Sequence, residues 1–315
     1  MIILVTGGCG FIGSHFINYY LKQHDNVEII NLDCLNYCAS THNVDHHPHY
    51  TFIKGDITNK EVVMSLLQHY HVDMIVHFAA QSHVDTSFDD SLQYTMDNVY
   101  GTHVLLQCSK EYGQLEKFIH FSTDEVYGEV DLNHPGCQEV SLLKPTNPYA
   151  ATKAAAELIC QSYYHSFKLP LVIVRCNNVY GLNQYHEKLI PKFIDLLKTN
   201  QKVTIHGRGE TRRNFIWVDD VSTAVEKIIS DGVIGDVYNI GTHTEYSVLH
   251  IAHLLIDKIK HTNHYDEYID YVADRPFNDF RYHIDSTKLK ALGWTEKQTN
   301  FNHNIDILIA HDNTN

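Results

Sequence analysis

The chain has 315 residues, a hydrophobic share of 43% and a formal net charge of −14, which allow one large or two modest globular domains with a sizeable core. The acidic balance argues against nucleic acid as a partner, because such binding depends on the neutralisation of phosphates by basic side chains. No apolar run approaches the roughly 20 residues that a membrane helix needs, so we expect no membrane partner.

The first predicted element is a strand over residues 2–6, which follows Met1 directly and leaves no room for a secretory signal. The seven cysteines are odd in number and lack the spacing of a disulfide framework. We therefore expect reduced thiols and a cytoplasmic location.

Residues 7–13 are rich in glycine, and a helical pattern follows them to about Lys22. Strand, glycine turn and helix in this order are the context of a dinucleotide site. The glycines allow a tight turn, and a pyrophosphate can then approach the backbone N–H groups at the helix N-terminus. The glycines stand at positions 7, 10 and 13, which departs from the usual G-x-G-x-x-G spacing.

A second predicted strand, residues 27–32, ends in Asp33. A carboxylate at about this distance from the glycine turn can hold a ribose 2′-hydroxyl and would repel a 2′-phosphate, so the sequence predicts NAD rather than NADP as the cofactor. The alternative is a turn between helix and strand in which Asp33 is only a capping residue.

The following segment, residues 36–50, is polar and rich in histidine. Cys34 and Cys38 with scattered histidines fit no tight tetrahedral zinc spacing. We therefore expect a surface loop near the adenosine of the cofactor and no metal site.

The next two strand ends contribute small or acidic residues. Asp56 follows the third predicted strand and either receives the adenine amino group or caps the next helix. Ala79 and Ala80 follow the fourth, and their small side chains permit close approach of a cofactor. Ser82 beside them either touches substrate or caps a helix.

Asn98, in the long helical pattern that comes next, is either a satisfied buried polar residue or a group that orients the active site.

The fifth predicted strand leads into Thr123, Asp124 and Glu125. Ligands of an open parallel sheet bind at the carboxyl ends of its strands. Two carboxyl groups placed there can divide their roles, one held protonated as an acid and one ionised as a base. The alternative is a solvated polar turn.

A predicted helix then begins at about Pro148 and carries Tyr149 and Lys153 at i and i+4, hence on one face. An ammonium beside a phenol stabilises the phenolate and lowers the pKa of the tyrosine. We therefore interpret Tyr149 as a base at neutral pH. The alternative is a packed tyrosine beside a lysine that extends to solvent.

The densest basic cluster of this acidic chain is residues 207–213, where Arg212 or Arg213 is expected to bind a diphosphate. Residues 274–282 offer a second such place through Arg275 and Arg281. The alternative for the first cluster is a solvated turn. The tail after about residue 303 is polar and expected to be frayed.

The alternation of strands and helices up to Arg175 predicts an α/β fold: a Rossmann-type doubly wound parallel sheet with a smaller, interleaved C-terminal substrate-binding domain. We assign residues 1–175, with a return near 215–245, to the NAD-binding domain. Residues 176–214 and 246–315 form the second domain.

Together these features resemble the extended short-chain dehydrogenase/reductase superfamily, and more narrowly its nucleotide-sugar 4,6-dehydratases, from Ile2 to about Trp294. The glycine turn and the Tyr149-x-x-x-Lys153 pair mark the superfamily. The narrower signal is residues 122–128, Ser-Thr-Asp-Glu-Val-Tyr-Gly. Further support comes from residues 79–85, 187–191 and 274–276.

The resemblance implies a tightly held NAD that is reduced and reoxidised in one turnover, with dTDP- or UDP-glucose as substrate. Tyr149 would take the proton of the glucose 4-hydroxyl, and Thr123 would hold that oxygen. Glu125 would remove the hydrogen at C5, and Asp124 would protonate the departing 6-hydroxyl. The product would be a 4-keto-6-deoxy sugar, a step towards rhamnose-type sugars.

The resemblance also implies a homodimer through the helices around residues 98–112 and 149–165, and two sets of binding residues. The implied cofactor residues are Gly7, Gly10, Phe11, Ile12, Gly13, Asp33, Asn36, Asp56, Ile57, Ala79, Ala80, Tyr149 and Lys153, and the implied substrate residues are Ser82, Asn178, Lys188, Leu189, Arg213, Arg275 and Asn278. Thr204 and His206 stand where the family usually has other residues around the base.

Two other functions compete with this hypothesis. A nucleotide-sugar 4-epimerase or decarboxylase of the same superfamily is the nearest, although decarboxylases tend to carry serine at the position of Asp124 and 4-epimerases lack the acid pair. A non-catalytic NAD-sensing protein is the other, but a sensor needs only the cofactor half of the fold.

Overall fold

The computed structural model describes residues 1–274 and 278–311. Its strands are β1 (Ile2–Thr6), β2 (Glu28–Asp33), β3 (Tyr50–Lys54), β4 (Met74–His77), β5 (Lys117–Thr123), β6 (Leu171–Cys176), β7 (Asn178–Tyr180), β8 (Val203–His206), β9 (Arg212–Trp217), β10 (Val237–Ile240), β11 (Glu245–Ser247) and β12 (Ile269–Val272).

Seven of these strands form one parallel sheet in the order β10-β6-β5-β4-β1-β2-β3. The chain reverses its direction of winding between β1 and β4, and this is the switch point at which such sheets bind ligands. The predicted Rossmann-type fold is confirmed.

The helices are α1 (Phe11–Gln23), α2 (Lys60–Tyr70), α3 (Val84–Asp89), α4 (Ser91–Tyr94), α5 (Gly101–Tyr112), α6 (Pro148–Phe167), α7 (Leu189–Lys198), α8 (Val218–Asp231), α9 (Val248–Lys260), α10 (Thr287–Ala291) and α11 (Phe301–Ala310). Five of them, α1, α2, α5, α6 and α8, cover the two faces of the main sheet. A π-helical stretch, Thr95–Tyr100, connects α4 to α5.

Two apolar cores enclose the sheet. On one face Phe16 of α1 and Val225 of α8 pack against the strands. On the other face Leu66 of α2, Leu105 of α5 and Cys160 of α6 do the same. The strands are nearly all buried on both sides, as expected when helices cover both faces of a parallel sheet.

The remaining elements surround a third core. Strands β7, β9 and β11 form a three-stranded sheet, and β8 pairs with β12. Helices α7, α9 and α11 pack there through Phe193, Ile251 and Ile305. The expectation that the chain is frayed after about residue 303 is wrong up to residue 310, because helix α11 buries Ile305 and Leu308.

The chain crosses between these regions more than once. After β7, α7, β8 and β9, helix α8 and strand β10 return to the main sheet. The boundaries assigned to the two domains stay a prediction. Among residues 1–274 and 278–311, no helix is long and apolar enough to span a membrane.

Candidate active site

A cleft of about 600 Å³ opens at the carboxyl ends of the main strands and extends towards β8 and α7. It gathers every predicted catalytic and cofactor residue and six of the seven predicted substrate residues, and Arg275 lies outside the described residues. The lining includes Gly7, Gly10, Phe11, Ile12, Gly13, Asp33, Asn36, Asp56, Ile57, Ala79, Ala80, Ser82, Thr123, Asp124, Glu125, Tyr149, Lys153, Asn178, Lys188, Leu189, Arg213 and Asn278.

The glycine turn has the backbone geometry that a phosphate site needs. Gly7 has a φ of 71°, and a Cβ on it would lie 2.6 Å from the backbone of Ala79. A Cβ on Gly13 would lie 2.5 Å from the carbonyl oxygen of Gly7. Gly10 precedes α1 and has no side chain to cap it, so the first N–H groups of this helix face the cleft as an anion site.

Asp33 lies buried at the end of β2. Its carboxylate accepts the backbone N–H of Cys9 over 2.9 Å and that of Leu35 over 2.8 Å. Burial raises its pKa, against the effect of these two bonds. These contacts fasten the turn after β2 to the glycine turn. The nearby helical turn Thr41–Asn43 is capped by Ser40, so Asp33 does not cap it.

Two further capping alternatives are wrong. The cap of α2 is Asn59, and Asp56 instead accepts the N–H of Thr58 over 2.8 Å. The cap of α3 is His83, not Ser82. The side chains of Asp56 and Ser82 therefore line the cleft without capping a helix.

The interpretation of Asn98 as a satisfied buried polar residue is confirmed, and a role in orienting the active site stays a prediction. Its side chain accepts the N–H of Gln81 over 2.7 Å and donates to the carbonyl oxygen of Gln81 over 3.0 Å. It also donates to Oγ1 of Thr152 over 2.9 Å. The residue is thus buried, satisfied, and joins the loop that carries Ser82 to helix α6.

Asp124 is buried and Glu125 is half-buried in the cleft, so the solvated-turn alternative is wrong. Oδ2 of Asp124 accepts the side-chain N–H of Asn177 over 2.7 Å. Burial and then the neighbouring charge of Glu125 raise the pKa of Asp124 to about 7. Oε2 of Glu125 accepts the side-chain N–H of Asn147 over 2.9 Å, and burial raises the pKa of this carboxyl as well.

Tyr149 and Lys153 lie buried on the face of α6 that points to the cleft. The expected lowering of the Tyr149 pKa is wrong for this structure, because burial and then the charge of Glu125 raise it. The ammonium of Lys153 instead donates to the carbonyl oxygen of Phe121 over 2.7 Å, and burial lowers its pKa to about 8.

The basic residues differ sharply in their surroundings. Arg213 lines the cleft with its guanidinium 4.5 Å from the ring centre of Tyr282. Arg212 lies 3.5 Å from Glu245, and Arg281 is buried and donates to the same carboxylate over 2.6 Å. The expectation that Arg281 meets phosphate is therefore wrong, and Arg213 is the arginine of the first cluster that faces the cleft.

The predicted substrate residues Lys188 and Asn278 also make protein contacts. The ammonium of Lys188 donates to the carbonyl oxygen of Ser82 over 2.9 Å, and burial lowers its pKa. The side-chain amide of Asn278 donates to Asp274 over 2.9 Å. Lys188 thus bridges the loop after β4 and the N-terminus of α7.

Three polar residues that contact the acid pair were missed from the sequence. Asn147 precedes Pro148, a recognisable helix start, but nothing in that signal indicates its contact with a carboxylate. Asn177 and Tyr282 approach the pair from chain segments far away, and Tyr282 lies 3.4 Å from Glu125. Only folding reveals these contacts.

The histidine-rich segment makes no cluster of metal ligands. Among residues 1–274 and 278–311, no group of three or more His, Cys, Asp or Glu side chains could hold a metal ion. All seven cysteines are free, and Cys34 and Cys38 lie at the cleft.

Comparison with known proteins identifies the family. The family model described as GDP-mannose 4,6 dehydratase matches residues 4–307. The chain belongs to this family. It is 49% identical over 302 residues to the dTDP-D-glucose 4,6-dehydratase of Mus musculus, an alignment that covers 94% of this chain and 84% of that protein.

The chain is also similar to proteins named for a second nucleotide and for a second reaction. A trifunctional Arabidopsis thaliana protein named for UDP-glucose 4,6-dehydratase is 47% identical over 302 residues, which are 94% of this chain and 45% of that protein. The crystal structure of a dTDP-glucose 4,6-dehydratase from Streptomyces venezuelae, solved with NAD, has a TM-score of 0.92 at 36% identity and covers 98% of this chain and 96% of that chain. A UDP-glucose 4-epimerase from Thermotoga maritima has a TM-score of 0.88 at 28% identity, with 98% and 97% covered.

Proposed function

We propose that this protein is a hydro-lyase that converts a nucleoside-diphosphate glucose, dTDP- or UDP-glucose, to the 4-keto-6-deoxy sugar with NAD as cofactor. The observation that carries the proposal is the place of the buried Asp124 and the half-buried Glu125 in one cleft with Thr123 and Tyr149. Relatives named for this reaction on both nucleotides support it. The product belongs to the route towards rhamnose-type deoxysugars.

The residues of the cofactor half fit NAD. The glycine turn and the uncapped N-terminus of α1 suit a pyrophosphate, and the carboxylate of Asp33 suits a ribose hydroxyl. When bound, NAD supplies the acceptor for the hydride of C4, returns that hydride to C6, and adds positive charge that favours the phenolate of Tyr149.

Tyr149 and Lys153 act at the first step. Tyr149 takes the proton of the 4-hydroxyl, and Thr123, which touches Tyr149, holds the same oxygen. Burial raises the pKa of Tyr149, so loss of its proton depends on positive charge nearby. Lys153 supplies such charge from the same helical face and is held in place by the carbonyl oxygen of Phe121.

The acid pair acts at the second step. The oxidised C4 makes the hydrogen at C5 acidic, and Glu125 removes it. Asp124, whose pKa is raised to about 7 by burial and by Glu125, is protonated in a substantial fraction of molecules at neutral pH and protonates the leaving 6-hydroxyl. One neighbouring pair thus supplies both the base and the acid that elimination of water requires.

The substrate side of the cleft suits a nucleoside diphosphate. We assign the diphosphate to Arg213 and Lys188, the two cations that line this part of the cleft close to the acid pair. The implied substrate residues Ser82, Asn178, Leu189 and Asn278 line the same region, and Arg275 is retained from the family resemblance alone. Thr204 and His206 line the far end, where we place the base.

We also propose a homodimer in the cytoplasm. Leu92, Met96, Tyr100 and Leu158 are exposed on the face formed by α4, the π-helical stretch and α6. Several exposed apolar side chains on one face are typical of an interface, and a second copy of this chain is the proposed occupant. The seven free cysteines support a reducing compartment.

The competing 4-epimerase function is supported by the likeness to a solved epimerase. An epimerase would leave the acid pair Asp124 and Glu125 without a role, since epimerisation eliminates no water. A non-catalytic NAD sensor would leave the whole substrate side without a role.

The test is incubation of the purified protein and NAD with UDP-glucose and dTDP-glucose separately, followed by mass spectrometry. We expect the mass of at least one substrate to fall by one water. A product of unchanged mass, separated from the substrate by chromatography, would indicate an epimerase. Two unchanged substrates would overturn the proposal in favour of a non-catalytic protein.

A further inference from the structure

Asn177 lies buried just after β6 and its side-chain amide has a fixed orientation. Its Oδ1 accepts the backbone N–H of Thr242 over 3.1 Å. A backbone N–H can only donate, so the oxygen of the amide must be on that side and the NH₂ group on the other. The Nδ2 atom therefore points at Asp124, with its nitrogen 2.7 Å from Oδ2.

This contact makes the two oxygens of Asp124 unequal. Oδ2 is engaged as an acceptor of the Asn177 N–H, and a proton on it would point at another donor. Oγ1 of Thr123 donates to Oδ1 over 3.3 Å, on the side of the cleft where Thr123 meets Tyr149. A hydroxyl can also accept, so Thr123 can turn to accept a proton carried on Oδ1, whereas the fixed amide of Asn177 cannot do so for Oδ2. A proton on this carboxyl group is therefore better placed on Oδ1 than on Oδ2.

We propose that Asn177 is a positioning residue that confines the transferable proton of Asp124 to Oδ1. The inference rests on the proposed dehydration. In that step the proton on Oδ1 passes to the oxygen of the 6-hydroxyl, the C6–O bond breaks with its electron pair, and water leaves. The electron pair of the C5–H bond becomes the C5=C6 double bond, and Glu125 accepts the C5 proton.

A parallel arrangement at Glu125 supports the same principle. The Oδ1 of Asn147 accepts the N–H of Ala150 over 2.8 Å, which fixes its amide, and Nδ2 donates to Oε2 of Glu125 over 2.9 Å. Each carboxyl group of the pair therefore has one oxygen occupied by an oriented amide. Oε1 of Glu125 and Oδ1 of Asp124, which meets the rotatable hydroxyl of Thr123, are the oxygens proposed to act on the substrate.

The test compares two substitutions at Asn177 with a control at Asn214. Asn177→Leu removes the amide at similar volume, and Asn177→Asp keeps an acceptor for Thr242 but replaces the donor with a second acceptor. Asn214→Leu is the matched control, because this buried amide donates to the carbonyl oxygen of Thr242 over 2.9 Å. Within the described residues, its side chain hydrogen-bonds to Thr242, Thr244 and His283 and not to Asp124.

Two signals are followed in single turnovers across a range of pH: absorbance of reduced cofactor, and 6-deoxy product by mass spectrometry. We expect both Asn177 variants to reduce NAD at near the wild-type rate but to form product about 10²-fold more slowly, the low end of what a positioned proton donor contributes. Reduced NAD then accumulates.

The pH profile separates a positioning role from a structural one. Loss of an N–H donor to the carboxylate raises the pKa of Asp124 further, so the alkaline limb of product formation in Asn177→Leu moves to higher pH. Other titratable or charged groups also face Asp124, and they are the same in all variants. They are Glu125 in its own turn, Cys137 in the loop before α6, Tyr149 in α6, Cys176 in β6 and Arg213 in β9.

Three results would overturn the inference. The first is an equal fall in the rates of NAD reduction and of product formation in the Asn177 variants. The second is an unchanged rate of product formation with an unchanged pH profile in both variants. The third is slow product formation with normal NAD reduction in the control Asn214→Leu. Failure of the proposed function is seen separately, since a wild-type protein that forms no dehydrated product contradicts the dehydration itself whatever the variants do.

Discussion

The side-chain amide of Asn147 donates from Nδ2 to Oε2 of Glu125 over 2.9 Å, and its Oδ1 accepts the backbone N–H of Ala150 over 2.8 Å. One side chain therefore begins helix α6 and contacts the proposed base. Because Tyr149 lies in the first turn of the same helix, the start of α6 ties the tyrosine and the base into one rigid unit.

Substitution of Asn147 separates these two contacts. Asn147→Asp keeps an N-cap but replaces the amide donor with a carboxylate beside Glu125, so we expect slower product formation with a nearly unchanged free energy of unfolding. Asn147→Ala loses both contacts and should also lower the free energy of unfolding by about 1 kcal/mol. Urea denaturation and product assays measure the two effects. Full activity in Asn147→Asp would show that the contact with Glu125 is catalytically idle.

Removal of both carboxyl groups should stop the reaction after oxidation. In Asp124→Asn combined with Glu125→Gln, we expect substrate to reduce bound NAD partially but to give little 6-deoxy product, because one positioned proton transfer contributes roughly 10²–10⁴-fold. Absorbance of reduced NAD and mass spectrometry follow the two steps. Unchanged turnover would remove both residues from the mechanism.

Product formation should depend on the protonation of Asp124. Burial and the charge of Glu125 raise its pKa from 3.8 to about 7, so a reaction that needs the protonated acid slows as the pH rises above about 7. The elimination rate in single turnovers, measured against pH, checks this. A rate that stays level well above pH 7 would contradict Asp124 as the acid.

The same raised pKa affects stability. Between pH 3.8 and about 7 the folded protein binds more protons at Asp124 than the unfolded chain does, so the contribution of this group to stability falls as the pH rises through that window. Asp124→Asn should therefore flatten the decline of the free energy of unfolding over this range. An identical pH dependence in the wild type and the variant would contradict the shifted pKa.

Asp33 should determine the choice of cofactor. Asp33→Ala should weaken NAD binding and relax the rejection of NADP, because the carboxylate would hold the ribose 2′-hydroxyl and repel a 2′-phosphate. Titration with each cofactor measures both effects. Asp33→Asn is the control, since it retains an acceptor for the N–H of Cys9 or Leu35 without the charge. An unchanged preference in Asp33→Ala would leave this residue a structural role only.

Arg213 and Arg212 form a matched pair for the diphosphate. Arg213→Ala should raise the KM for the nucleotide sugar far more than it weakens NAD binding, because its guanidinium lines the cleft. Arg212→Ala should leave this KM nearly unchanged, because Arg212 lies beside Glu245 and does not line the cleft. Steady-state kinetics decide. An equal rise in KM with both substitutions would mean that the diphosphate is attracted by the overall positive charge of this cluster and not bound by Arg213 in particular.

Local sequence signals determined the fold and one side of the site. The glycine turn, the apolar strands and the Tyr149-x-x-x-Lys153 spacing depend on residues close together in the chain, and the strands and helices they predict are present. Thr123, Asp124 and Glu125 also follow from local order, because the end of a parallel strand must open at the binding edge of the sheet.

The tertiary structure decided the surroundings of those residues. Asn177 reaches Asp124 across 53 positions of sequence, and Tyr282 reaches Glu125 across 157. Arg281 is buried and pairs with Glu245, so its guanidinium does not face the cleft where a phosphate would bind. Burial also reverses the expected pKa direction of Tyr149. Burial and long-range contacts depend on how distant segments pack, and a pattern read along the chain does not contain them.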